Sequence, residues 1–202
     1  MAGAVERAIA ALQEGRPVLL PTDTVYGLAG NPEREEWARA ALALKGRSDS
    51  KPTALMAGSV EALLEHIPEL LEIEQVLRVL LPGAFTLVVP NPARRYPWLA
   101  GEGHDAIGVR VPVLPEPSLQ VLAGVGAVLA TSANETGGRD PATLDEVPRR
   151  LREACAAEID AGRLPGTPST VLDLTEQVPR VLREGAAPSD EALARVRVAR
   201  GQ

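Results

Sequence analysis

Lysine is almost missing from this chain of 202 residues, in which Lys45 and Lys51 stand beside 19 arginines. Both lysines lie in one short segment with Arg47, and the glycine, serine and proline between them allow the backbone to bend. An ammonium group meets a phosphate oxygen from any direction, whereas a guanidinium group needs a planar partner. The segment therefore predicts a clamp for an anion such as a polyphosphate. A solvated basic surface loop is the alternative interpretation.

Aromatic residues are scarce as well, since the chain has five of them, and its net charge is −6. A negative total charge argues against a protein that grips nucleic acid with its whole surface. So few rings also argue against the stacking platforms that bind single strands. A local basic groove on an acidic protein is compatible with this composition, and it would favour a small anionic ligand.

The chain has one cysteine, Cys155, which excludes an internal disulfide and favours an intracellular setting. Its place in an apolar-periodic segment predicts a buried, unreactive thiol. No apolar run approaches the ~20 residues that span a bilayer, and the N-terminal residues lack the pattern of a signal peptide. We therefore expect a soluble, cytoplasmic protein without a membrane contact.

Two common nucleotide-binding motifs are absent from the sequence. It has neither the pattern G-x-x-x-x-G-K-[ST] nor a G-x-G-x-x-G after a strand, so a P-loop and a dinucleotide fold are unsupported. The two histidines, His66 and His104, are far apart and have no cysteine nearby, so no metal site is predicted. We expect His66 on the surface, and His104, in a polar loop, is a weak candidate for catalysis.

Short apolar strands alternate with amphipathic helices along the chain, and some strands follow one another directly. This order predicts an α/β fold with an open sheet of mixed direction, flanked by helices. Because no repeat or linker interrupts it, the whole chain 1–202 is expected to form one domain. Thr143 and Glu146 have the spacing of a capping box. Strands are predicted at 17–20, 53–57, 85–89, 106–111, 127–131, 170–174 and 180–183, and helices at 5–12, 35–44, 60–64, 72–80, 118–122, 149–155 and 188–196.

Four polar segments flank the predicted strands, and strand ends are where open α/β sheets bind ligands. They are residues 22–27, the lysine segment at 45–51, residues 131–134 and residues 168–171. Serine and asparagine just after a strand offer hydroxyl, amide and backbone N–H groups to phosphate or ribose oxygens. Each segment taken alone is better explained as a turn or a cap.

Taken together, these segments resemble the YrdC-like (TsaC) threonylcarbamoyl-AMP synthase family, over residues 16–183. The resemblance rests on eight motifs in order and at compatible spacing. They are PTDTVYGL at 21–28, K-x-R at 45–47, Lys51 with Pro52, LPG at 81–83 with Thr86, GVRVP at 108–112, TSAN at 131–134 with Gly137, STVLD at 169–173 and RVLR at 180–183.

The resemblance implies a nucleotidyltransferase that joins L-threonine, bicarbonate and ATP into threonylcarbamoyl-AMP and releases pyrophosphate, with Mg²⁺ accompanying ATP. It also implies a twisted mixed sheet whose concave face forms a positively charged groove, in the short single-domain form of the family. The product would pass to the proteins that transfer it to tRNA, next to the anticodon. A weak direct contact with tRNA is left open.

The resemblance further implies which residues bind each substrate. Arg110 suits the amino-acid carboxylate because its guanidinium fork pairs bidentately. The catalytic role falls to the cations at 45, 47 and 51, which would neutralise the triphosphate and the leaving pyrophosphate. No general base is predicted. The expected threonine-binding residues are Thr24, Arg110 and Ser169, and the expected ATP-binding residues are Lys45, Arg47, Lys51, Ser132, Asn134, Asp140 and Arg183.

The chain departs from the family pattern in three places. Residues 82–84 read Pro-Gly-Ala where many relatives have Pro-Gly-Pro, and Met56 stands where longer relatives place a threonine-contacting histidine. After Asn134, the usual serine-glycine-proline run is replaced by ETGGRDP at 135–141. In that run, Asp140 would repel phosphate unless it meets ribose, a metal or Arg139.

Two other functions are left open by the residues. An RNA-binding or ribosome-associated module would use the same groove for a phosphodiester backbone, which the acidic total charge disfavours. A carbamoyl-transfer relative, such as the YrdC-like domain of hydrogenase-maturation proteins, would act on another acceptor. Threonine-dependent release of pyrophosphate distinguishes the synthase from both.

Overall fold

A computed structural model describes residues 2–46, 53–101 and 105–201 of the chain. The strands in these ranges are β1 (Val18–Pro21), β2 (Tyr26–Gly30), β3 (Ala54–Ala57), β4 (Phe85–Pro90), β5 (Ala106–Arg110), β6 (Ala127–Ser132), β7 (Ala157–Glu158), β8 (Thr170–Asp173) and β9 (Arg180–Arg183). They form one sheet of nine strands in the order β7-β1-β2-β6-β3-β5-β4-β8-β9.

The sheet is of mixed direction, which confirms the predicted α/β fold class. Three neighbouring pairs are parallel, namely β1 with β7, β3 with β5 and β4 with β8. The other five pairs are antiparallel. The helices are α1 (Ala2–Gln13), α2 (Glu35–Ala43), α3 (Val60–His66), α4 (Glu74–Leu80), α5 (Glu116–Val125), α6 (Arg149–Ala154) and α7 (Ser189–Ala199), with short 3-10 turns at Pro68–Ile73, Pro97–Leu99 and Leu144–Glu146.

Helices cover the two faces of the sheet unequally, because successive side chains of a strand point to opposite faces. On β3, Leu55 packs in a core cluster with residues of α2, α3, α4 and α7. Its neighbour Met56 packs on the other face, in a second cluster with α1 and α5. Ala54 shares a face with Met56, and at that end of the strand it lines an open groove. The second face is therefore left open at this end of β3.

The strand β2 is missing from the sequence prediction, which has the polar segment 22–27 where this strand begins. All five of its residues are buried, and it pairs antiparallel with β1 and β6. Its two glycines, Gly27 and Gly30, conceal the strand because glycine is depleted in strands. Gly30 is required by close packing, since a Cβ atom there would lie 2.9 Å from the Cβ of Ala41 in α2.

Two smaller predictions are wrong. The capping box does not form, because the Thr143 side chain makes no cap hydrogen bond; Glu146 instead accepts a hydrogen bond of 2.8 Å from the backbone N–H of Ala142. His66 is not a fully exposed surface residue, since its side chain is only 20% exposed and its Nδ1 lies 2.9 Å from the hydroxyl of Tyr96. The part of the chain that the structure describes has no helix long and apolar enough to cross a membrane.

Candidate functional site

A groove of about 470 Å³ lies on the face of the sheet where β3, β5 and β6 are left uncovered. The structure brings eight of the predicted site residues together along its walls, from segments far apart in the sequence. The other two, Arg47 and Lys51, lie outside the described residues, as does His104. The eight lining residues are Thr24, Lys45, Arg110, Ser132, Asn134, Asp140, Ser169 and Arg183.

The floor of the groove consists of small residues, of which the sequence analysis includes only Gly108, as the first residue of the motif at 108–112. Ala54 lies in register with Gly108 on one neighbouring strand and with Ala130 on the other, and all three line the groove. A larger side chain at any of these positions would project into the space between the walls. Thr53, the residue before β3, adds a buried hydroxyl without a hydrogen-bond partner among the described residues.

Lys45 lies just after α2, and its buried ammonium group reaches the end of β6. Its Nζ donates to the backbone carbonyl of Ser132 at 2.6 Å, to Oδ1 of Asn134 at 3.0 Å and to Oγ1 of Thr131 at 3.1 Å. These three acceptors are neutral oxygens at the end of β6 and in the turn that follows it. The lysine therefore joins the end of α2 to the end of β6 and places a cation in this wall of the groove.

The segment after β6 folds back on itself through Asn134. Its Oδ1 accepts a hydrogen bond of 2.7 Å from the hydroxyl of Ser132, while its Nδ2 donates to the carbonyl of Gly138 at 2.6 Å and to Oδ1 of Asp140 at 3.2 Å. Asp140 is thus engaged by an amide donor at the edge of the groove. Thr136 adds a hydrogen bond of 3.2 Å to the carbonyl of Lys45.

The opposite wall begins with a chain of hydroxyl groups in the segment between β1 and β2. The hydroxyl of Thr22 donates to the carbonyl of Val25 at 2.7 Å, so it acts as acceptor toward the hydroxyl of Thr24, 3.0 Å away. The backbone N–H of Thr24 also donates to Oγ1 of Thr22, at 3.2 Å. Thr24, which is fully buried in the protein, is therefore fixed in orientation at the groove wall.

Arg110 closes this wall at the end of β5. Its Nη2 donates to Oδ1 of Asp23 at 3.0 Å and to the hydroxyl of Thr24 at 3.4 Å. Burial lowers the pKa of Arg110; Asp23 opposes that shift and the charge of Arg183 adds to it. Burial likewise raises the pKa of Asp23, against the opposing charge of Arg110. In both residues burial disfavours the charged form, and the attraction between the two charges opposes that shift of the pKa.

Ser169 and Arg183 form the far end of the groove, beside β4 and β9. The hydroxyl of Ser169 lies 2.8 Å from that of Thr86 on β4. Arg183 donates from Nη2 and Nε to the backbone carbonyl of Ser169, at 2.8 and 3.2 Å. The backbone approaches closely here, since a Cβ on Gly185 would lie 2.4 Å from the carbonyl oxygen of Pro168.

Two other predicted positions lie outside the groove. Met56 packs in the core under α1 and α5 and does not line it. Cys155 is partly buried, and burial raises the pKa of its thiol to about 12, so the thiol stays protonated at neutral pH, as expected from the sequence. The described residues contain no cluster of three histidine, cysteine, aspartate or glutamate side chains able to hold a metal ion.

Comparison with known proteins finds one family model, Sua5/YciO/YrdC with the description "telomere recombination", which matches residues 10–185. A relative from Mycobacterium leprae is 34% identical over 185 residues, which are 90% of this chain and 82% of that protein. A Methylococcus capsulatus relative, named threonylcarbamoyl-AMP synthase, is 36% identical over 167 residues, 81% of this chain and 88% of that protein.

The fold is also similar to that of a solved structure. The crystal structure of Pyrococcus abyssi Sua5 complexed with L-threonine superimposes with a TM-score of 0.83 and 32% sequence identity. The match covers 95% of this chain and 56% of that one, so the chain spans a little over half the length of that relative.

Proposed function

Because the chain belongs to the Sua5/YciO/YrdC family, with residues 10–185 matching its model, we propose that it is a threonylcarbamoyl-AMP synthase. Its substrates are L-threonine, bicarbonate and ATP, and its products are L-threonylcarbamoyladenylate and pyrophosphate. The observation that supports this function best is the groove itself. It brings a buried guanidinium with fixed hydroxyl groups to one wall and a buried ammonium with a serine–asparagine turn to another.

Threonine lies between the wall formed by Thr24 and Arg110, on one side, and Ser169, at the far end of the groove. A guanidinium group binds a carboxylate through a planar fork, and hydroxyl groups accept or donate to the substrate hydroxyl. The small floor at Ala54 and Gly108 leaves space for the amino acid between these groups.

ATP occupies the wall formed by Lys45, Ser132 and Asn134, with Arg183 at the far end. Lys45 supplies positive charge for phosphate oxygens, and the segment with Arg47 and Lys51 follows it directly in the chain. Mg²⁺ enters as the complex with ATP, held by phosphate oxygens. Asp140, at the groove edge, meets the ribose rather than the phosphates, since like charges would repel.

The reaction needs positioning and charge more than covalent help from the protein. The threonine amine captures bicarbonate to give a carbamate and water, and a carbamate oxygen attacks the α-phosphorus of ATP in line. The bond between the α-phosphorus and the oxygen that bridges it to the β-phosphate breaks, and pyrophosphate leaves with the electron pair of that bond. Fixed cations beside the phosphates stabilise the charge that develops on the leaving group.

The product is an activated mixed anhydride, so it must pass to a second protein that transfers the threonylcarbamoyl group to tRNA. We expect this chain to work in the cytoplasm, where tRNA and ATP are available. A direct, weak tRNA contact belongs to this proposal as well.

The experiment that tests the function measures pyrophosphate release from ATP with threonine and bicarbonate, each omitted in turn. Release that requires both substrates supports the synthase. Release without threonine would favour a carbamoyl-transfer relative with another acceptor. No release, together with RNA binding at moderate salt, would favour an RNA-binding module.

A further inference from the structure

Asp23 is a buried carboxylate beside the groove, and the substrate roles proposed above do not use it. Its side chain is 10% exposed, and that of its partner Arg110 is 11% exposed. Arg110 lines the groove, whereas Asp23 does not. The ion pair with Arg110 is therefore the charged contact that links Asp23 to the groove.

The contact between the two side chains uses one atom of each. Nη2 of Arg110 donates to Oδ1 of Asp23 at 3.0 Å, and the same nitrogen lies 3.4 Å from the hydroxyl of Thr24. Among the described residues, Oδ2 of Asp23 and Nε of Arg110 have no hydrogen-bond partner. A guanidinium and a carboxylate commonly form two parallel hydrogen bonds. Here the contact with Asp23 occupies a single nitrogen, and because Nε is fully buried, Arg110 can meet a substrate only through its terminal nitrogens.

Asp23 also balances charge at this wall. Arg110 is buried and lies close enough to Arg183 for the two positive charges to repel each other. A buried guanidinium without a counter-charge is costly, and it would turn toward solvent or toward the phosphate side of the groove. Asp23 provides the counter-charge from outside the groove, so that the substrate space stays open in front of Arg110.

We propose that Asp23 is a positioning residue for the amino-acid carboxylate: it holds Arg110 by one nitrogen, so that the rest of the fork faces a carboxylate substrate. The inference rests on the proposed function, since it assigns that carboxylate to threonine. Asp23 is neither a proton acceptor nor a ligand in this role.

The test is calorimetric titration of Asp23→Asn with threonine and, separately, with ATP. Loss of a charge-assisted contact of this kind lowers affinity by roughly tenfold to a hundredfold, and we expect that loss for threonine. ATP affinity should change by less than about threefold, because the nucleotide groups are elsewhere. A role in folding alone would not separate the two ligands.

The matched control is Asp173→Asn. Asp173 is also a buried aspartate paired with an arginine, since its Oδ2 lies 2.8 Å from Nη2 of Arg180, and it does not line the groove. This variant should bind threonine normally. In an Arg110→Lys background, adding Asp23→Asn should cause little further loss of threonine affinity, because the residue acts through Arg110.

If Asp23→Asn does not fold, Asp23→Glu provides the same test, since it keeps the charge and moves the carboxylate by one methylene. It should weaken threonine binding and leave ATP binding normal. Threonine affinity equal to that of the unchanged protein in the folded Asp23 variant would overturn the inference and leave the proposed function standing. Absence of threonine binding by the unchanged protein would overturn both.

Discussion

The ammonium group of Lys45 lies 2.6 Å from the backbone carbonyl oxygen of Ser132, which connects the end of α2 to the end of β6. This contact joins two segments that the sequence separates by 87 residues. Lys45 therefore has two roles. Its hydrogen bonds fix the groove wall, and its ammonium group is the cation predicted to face the triphosphate. An exposed basic loop, the alternative interpretation of this lysine, would not bury the ammonium group.

We expect Lys45→Ala to lower turnover by on the order of tenfold to a hundredfold, which corresponds to losing a charge-assisted hydrogen bond. Unlike a change in a solvated loop, it should also reduce the free energy of unfolding by about 1–3 kcal/mol, because buried acceptors lose their donor. Turnover and urea unfolding measure the two effects. Arg39→Ala, on the exposed side of α2, is the control, and it should change neither turnover nor the free energy of unfolding by much. Normal turnover of Lys45→Ala would refute the phosphate role.

Discrimination between threonine and valine tests the hydroxyl-lined wall. A site built to hydrogen-bond a substrate hydroxyl rejects an analogue without it far more strongly than shape alone allows. We expect threonine to exceed valine in kcat/KM by well over the roughly tenfold that an apolar pocket provides. Pyrophosphate release with each amino acid gives the ratio, and similar values would contradict a threonine site at Thr24 and Ser169.

Arg110→Lys keeps a positive charge and removes the planar fork. Since a fork suits a small carboxylate better than a mobile triphosphate, the variant should need more threonine and bind ATP nearly normally. Separate calorimetric titrations of the two substrates measure this. The opposite pattern, with ATP binding lost and threonine binding kept, would reverse the assignment of the two walls.

Gly108 tests the small-residue floor. A Cβ at this position would lie 3.4 Å from the Cα of Ala54, which is an ordinary contact, so Gly108→Ala should fold normally. Gly108→Val should also fold, because valine is favoured in strands, but its methyl groups would enter the space for substrate. We expect threonine or ATP affinity to fall by about tenfold or more, the loss of roughly 1.4 kcal/mol of binding free energy. A binding-competent Gly108→Val variant would show that substrates do not reach this floor.

Local signals in the sequence explain what could be predicted. Apolar runs gave most strands, and the polar residues after them, such as Ser132 and Asn134, marked the groove. The strand β2 was missed because its glycines conceal it, although Gly30 is there for the close approach of Ala41. Composition does not reveal such a contact.

Other parts of the site depend on pairing across the sheet, which the sequence does not contain. The floor exists because Ala54 meets Gly108 and Ala130 in register, and a shift by one residue would turn it to the other face. Asp23 lies inside a recognised motif, yet its contact with Arg110 spans 87 residues and becomes visible only in the fold.

The most direct test of this account is mass spectrometry of the products formed from threonine, ¹³C-labelled bicarbonate, Mg²⁺ and ATP. We expect a product with the mass of threonylcarbamoyl-AMP that carries one labelled carbon, together with pyrophosphate, and its loss when threonine is omitted. Consumption of ATP without that labelled product, or a labelled adenylate formed equally well without threonine, would contradict the account.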